Sequence, residues 1–139
     1  GECTHFIRGK KPLENVPKRR ALIIANMNYD DTASFGNLSN ALRDGLQLRD
    51  VLSRMKWDVV FKVELGHKKM RDEMNNFLQK ERDTDVCMFA FIGHGIEVNG
   101  SLYLVAQDAR LQRSHTNAHH FESEVQNSCI RMDFVQECF

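Results

Sequence analysis

From residue 20 onward, the apolar residues fall into continuous blocks separated by stretches in which they recur every third or fourth position. Arg20 to Asn26 and Val86 to Ile92 are nearly unbroken apolar runs, too short for a membrane span and too uniform for a strand with one wet face. They predict strands buried on both faces. Trp57 to Leu65, rich in β-branched and aromatic residues, predicts a third strand. Between these runs, Leu38, Ala41, Leu42, Leu46, Leu52 and Met55, with the stem of Arg49, predict an amphipathic helix of about five turns. Gly45 inside it costs about 1 kcal/mol relative to alanine and permits close packing on a sheet. Met70, Met74, Phe77 and Leu78 predict a second helix. Asn99-Gly100, between two short apolar stretches, predicts a hairpin, because both turn residues must adopt positive φ.

The flanks read differently. Residues 1–19 hold both prolines and scattered basic residues without either period, and they read as a leader or linker whose abrupt start suggests excision from a longer polypeptide. Gln107 to Asn127 reads as a long polar surface loop. Ile130, Met132, Phe134, Val135, Cys138 and Phe139 show helical spacing. Alternating strands and helices over residues 20–139 predict one α/β domain, a mostly parallel sheet with right-handed crossovers.

Composition removes several function classes. Nineteen basic and nineteen acidic residues cancel, so the broad positive field used for nucleic-acid binding is missing and no nucleic-acid partner is expected. No apolar stretch approaches 18 residues, so no membrane span is expected. Four cysteines, at 3, 87, 129 and 138, show neither metal spacing nor a dense disulfide framework, which fits a reducing, cytoplasmic setting. His115, His119 and His120 lie in the polar stretch without a carboxylate or cysteine set to complete a ligand cluster. Neither a metal nor a cofactor is expected.

One residue stands where chemistry is usually built. His94 lies between Gly93 and Gly95 at the end of the Val86–Ile92 run, the carboxyl edge of a predicted parallel sheet. A histidine there serves as a base or merely as a solvated strand end, and Gly-His-Gly alone does not separate the two. Asp44, near the start of the first predicted helix, is equally readable as a site acid or as a helix-dipole acid.

Taken in order, Ala21 to Tyr29, Asn40-Ala41-Leu42-Arg43-Asp44, Phe91-Ile92-Gly93-His94-Gly95 and Leu102 to Ala109 resemble the caspase-like fold, paracaspases first and metacaspases next. The likeness runs from about residue 20 to 139. It implies a three-layer α/β/α sandwich and a cysteine endopeptidase acting on protein or peptide substrates. It further implies His94 as catalytic base, Gly95 as a backbone donor to the oxyanion hole, and Asp44 as the acid of a pocket for Arg or Lys at P1. A homodimer or a complementary small subunit is the partner that goes with it.

The family's nucleophile has no match. Cys87 lies in a predicted strand, Cys3 in the leader, and Cys129 and Cys138 in the last helical segment, whereas caspase-like sequences place the cysteine roughly 50 residues after the histidine. The expectation is that the nucleophile lies beyond Phe139, that the sandwich is incomplete, and that the chain alone is inactive. The alternative is a catalytically inactive caspase-like scaffold. A dinucleotide-binding module shares the layer order but would need a Gly-x-Gly-x-x-Gly cradle, which the turns at 26–37 and 66–67 lack. Two geometric expectations follow: His94 faces an open cleft at the end of a central parallel strand, and Asp44 and His94 line one continuous groove.

Overall fold

The structure is a computed structural model that describes residues 2–9, 17–79, 84–111 and 118–138. Its centre is β2 (Arg19–Ala25), in which Ala21 through Ala25 are all buried. Parallel strands flank it on both sides, β3 (Asp58–Val63) and β4 (Val86–Gly93). A strand without a free edge and without a wet face has to be apolar throughout, which is why these two runs do not alternate.

Successive side chains of a strand point to opposite faces, and each face has its own cover. Leu22, Ile24, Phe89 and Phe91 pack with Met70, Met74 and Phe77 of α2 (His67–Gln79) and with Val135 of α4 (Met132–Cys138). Ala21, Ile23 and Ala90 pack with Leu52 of α1 (Ala41–Arg54) on the other face. Three layers result, as expected. Gly45 lets α1 settle on the sheet, since a Cβ there would lie 2.7 Å from the Phe61 ring and 3.3 Å from Ala25 Cβ. A second, antiparallel sheet of β5 (Gly95–Val98), β6 (Ser101–Val105) and β7 (Cys129–Arg131) continues directly from β4. Its hairpin turns on Asn99 and Gly100, both at positive φ (50° and 79°).

Three segments depart from the expectation. Residues 2–9, read as part of a leader, form β1 (Glu2–Gly9), which pairs antiparallel with the outer edge of β4 from Glu2 opposite Gly93 to Gly9 opposite Val86. Phe6 packs against the core while Ile7 stays 53% exposed. The polar stretch read as a loop through Asn127 contains α3 (Ala118–Ser128), anchored by the buried Val125 and by Phe121 one turn earlier. Cys129, read as helical, lies on β7, whose Cys129-Ile130 pair is buried and whose Arg131 is exposed. Three residues are too few to display a period. Residues 1 and 10–16 of the expected leader lie outside the described residues, and Arg19, its last residue, opens β2.

Candidate active site

His94 follows β4 and precedes β5, at the carboxyl end of the parallel sheet. Nearly all of its polar atoms are engaged. Its N–H donates to Tyr29 Oη at 2.8 Å, its carbonyl accepts from Val105 N at 3.0 Å, and its ring Nε2 lies 2.7 Å from Gly36 O. A carbonyl only accepts, so the hydrogen belongs on Nε2 and the lone pair on Nδ1. The ring is flanked by two aromatics, Tyr29 at 5.0 Å and Phe35 at 5.7 Å between centroids. Tilted packing of this kind restricts the plane of the imidazole.

The loop that supplies Tyr29, Phe35 and Gly36 runs from β2 to α1, and it is held along its length. Asn26, completely buried, donates from Nδ2 to Leu65 O at 3.1 Å and to Val105 O at 3.4 Å, and accepts Leu65 N–H at 2.8 Å. Its own N–H reaches Ile92 O at 2.8 Å, so one side chain and its backbone tie together the ends of β2, β4 and β6. Next, the Glu64 carboxylate accepts the N–H groups of Met27 and Asn28. Glu64 itself sits at φ 55°, an uncommon conformation for a residue with a side chain, and it presents its carboxylate to those two amides. Asp30 and Asp31 then bind the segment after β6: Asp30 Oδ1 accepts from Gln107 Nε2 at 2.9 Å and Asp31 Oδ2 from Leu111 N at 2.9 Å. Burial pushes the Tyr29 hydroxyl well above the ordinary tyrosine range, so it remains a neutral phenol.

His94 opens onto a cavity of about 310 Å3 lined by Thr4, Phe91, Gly93, Gly95, Glu97, Leu102 and Leu104. Gly95 is exposed there and begins β5 opposite Leu104. Asp44 lines a different cavity, about 290 Å3, with residues 37–41 and Ile92. The two cavities share no lining residue, but both reach the end of β4, where Ile92 lines one and Gly93-His94 the other. The step from Gly36 to Asn37 stands between them: Gly36 grips the histidine ring and Asn37 lines the aspartate's cavity. The single groove expected to hold both residues is therefore two neighbouring pockets on one sheet edge. Asn37 also hydrogen-bonds Asn28, which holds this divider to the start of the loop.

No thiol lies beside the imidazole among the described side chains. Cys87 and Cys129 are both buried, and burial pushes the Cys129 thiol up to about 11. The side chains of Cys3 and Cys138 lie outside the described residues, as do His115 and the His119 ring, while His120 is exposed. Among the described residues no cluster of three or more His, Cys, Asp or Glu could hold a metal ion, and no helix is long and apolar enough to cross a membrane.

Reading the sequence alone missed Tyr29 and Gly36 as parts of the site. An aromatic within the turn-forming stretch Asn26-Met27-Asn28-Tyr29-Asp30-Asp31 is a usable signal, since turns seldom need one unless it is anchored. Gly36 offers only a carbonyl, which any residue carries.

A comparison with curated proteins finds no match. The family model of the caspase domain matches residues 18–138, from the lead-in to β2 through α4, and includes Tyr29, Gly36, Asp44, His94 and Gly95. The chain belongs to the caspase domain family of cysteine peptidases.

Proposed function

We propose that this chain is the histidine-bearing part of a cysteine endopeptidase that hydrolyses peptide bonds after Arg or Lys, with the closest kinship to paracaspases. The single observation that carries the reading is the bond from His94 Nε2 to Gly36 O. It leaves Nδ1 as the basic nitrogen, and it offers a fixed acceptor to the positive charge that the ring gains when it takes a proton.

The thiol of a cysteine lying beyond residue 139 gives its proton to Nδ1, and the thiolate attacks the scissile carbonyl carbon. The oxyanion formed is met by the N–H of Gly95. Collapse breaks the C–N bond, the imidazolium returns the proton to the departing amine, and water then hydrolyses the thioester with His94 again as base. Asp44, in its own cavity one step along the sheet edge, takes the guanidinium or ammonium of the residue before the cleaved bond. The substrate thus straddles the Gly36-Asn37 divider.

A non-catalytic scaffold is the second reading. One observation favours it: neither buried thiol, Cys87 or Cys129, lines the His94 cavity. The two readings separate in one experiment. The 139-residue chain should neither turn over Arg- or Lys-ended peptide reporters nor react with an electrophilic active-site probe. A form that also carries the nucleophile segment should do both, and in it Asp44→Asn should cut turnover of Arg reporters about 10- to 100-fold, the loss of one charge-assisted hydrogen bond. Turnover by the 139-residue chain that disappears in Cys138→Ala would overturn the placement of the nucleophile. A longer form without turnover or labelling would favour the scaffold.

A further inference from the structure

A buried tyrosine ordinarily needs no explanation beyond packing, and Tyr29 does pack, with Phe35 at 5.5 Å between centroids. Packing alone would be served as well by phenylalanine. The hydroxyl is engaged in something specific: it accepts the backbone N–H of His94 at 2.8 Å. The neighbouring residue is shaped around this contact. A Cβ at Gly93 would lie 2.6 Å from Tyr29 Oη and 2.6 Å from Phe91 Cζ, closer than real Cβ atoms come, and Phe91 is buried and cannot swing away. A glycine at 93 is what admits the hydroxyl to the amide.

The consequences reach the ring. With its N–H held by residue 29, its carbonyl by residue 105 and its Nε2 by residue 36, His94 has every polar atom tethered except Nδ1. Residues 29 and 36 come from one loop, so the same segment sets both the backbone and the ring of the histidine. Releasing the backbone tether lets the Cα shift, and a ring whose Nε2 contact is only 2.7 Å long tolerates little shift before that bond is lost.

We infer that Tyr29 is a positioning residue for His94, its hydroxyl fixing the His94 backbone through the gap left at Gly93 so that the ring is kept as the Nε2–H tautomer with Nδ1 presented. This rests on the reading of His94 as the base, and it extends that reading from the imidazole to the residue that sets its protonation pattern. The tether acts through His94, and Tyr29 itself does not line the cavity onto which His94 opens.

The test uses the 139-residue chain and needs no turnover. Ring nitrogen chemical shifts of 15N-labelled His94 report the tautomer, and amide exchange reports the tether. The wild type should be dominated by the Nε2–H form. Tyr29→Phe should keep the fold, as read from the far-UV spectrum and the remaining amides. Its His94 amide should exchange about tenfold faster, the loss of one net hydrogen bond, and its ring should move toward a mixture of tautomers. A folded Tyr29→Phe with unchanged His94 exchange and unchanged ring shifts overturns the inference. Should that variant not fold, 3-fluorotyrosine replaces both tyrosines of the chain. The weaker acceptor should then shift the His94 amide proton upfield, and an unmoved resonance would count against the tether. In a nucleophile-bearing form, Tyr29→Phe should lower kcat with KM unchanged. If His94→Ala there retains turnover, the peptidase reading fails, while the tautomer measurement still decides the role of Tyr29.

Discussion

At the scale of single residues, the site depends on what is small and what is satisfied. Gly93 has no room for a methyl group between Phe91 and Tyr29. Gly93→Ala is therefore expected to lower unfolding free energy by about 1–3 kcal/mol, the usual cost of overpacking a filled interior, measured by urea denaturation. Asn26 poses the opposite demand. Replacing it with leucine keeps the volume but strands Leu65 N–H and Val105 C=O, while Leu65 C=O keeps the Gln107 N–H, so Asn26→Leu should cost about 2 kcal/mol or more at 1–3 kcal/mol for each buried orphan. An Asn26→Leu variant as stable as the wild type would mean that those backbone groups find other partners.

At the scale of elements, α2 begins against the segment that follows β6. Asp108 accepts the His67 N–H at 2.9 Å and lies where a Cβ on Gly66 would fall, 2.6 Å from Oδ2. Asp108→Ala should cost about 1 kcal/mol as a lost cap. His67, first in that helix, carries a built-in pH dependence. Its pKa is lowered from 6.5, chiefly by burial and then by Arg71. The unfolded state then binds a proton more readily than the folded state, so stability is complete above about pH 6.5 and declines as pH falls below it. Denaturation midpoints at pH 7.5 and 5.5 should differ less in His67→Gln than in the wild type, and an identical difference in both would assign the effect elsewhere.

Elements were legible in proportion to the constraint each one bears. β2 and β4 lack a wet face, and α1 and α2 each lay one stripe on the sheet, so their periods are written in the residues. β1 escaped because its alternation is short: Phe6 turns inward, but the adjacent Ile7 is equally apolar and faces out. α3 escaped because, among its described side chains, Phe121 and Val125 anchor it amid polar neighbours. Its spacing of four residues was present, and the charged and amide side chains around it concealed it.

At the scale of the whole molecule, the site is where four connections meet at one edge of a parallel sheet. His94, Gly95 and Asp44 could be placed at that edge because strand order and crossover handedness dictate it. The partition of the edge into two pockets could not be read, because an irregular loop has no period. Residues 30–37 lie outside any helix or strand, and their path places Gly36 on the histidine ring and Asn37 in the neighbouring cavity. Hydrogen bonds from Gln107 to Asp30 and from Leu111 to Asp31, 77 and 80 residues apart in sequence, hold that path, and Glu64, 36 residues from Asn28, accepts from the amides that lead into it.

The role of His94 as the base of a cysteine peptidase is tested most directly by turnover of an Arg-ended reporter by a nucleophile-bearing form with and without His94→Ala. The substitution should lower kcat/KM about 10²- to 10⁴-fold with folding intact, the contribution of a positioned general base. Turnover by His94→Ala at the wild-type rate would contradict that role.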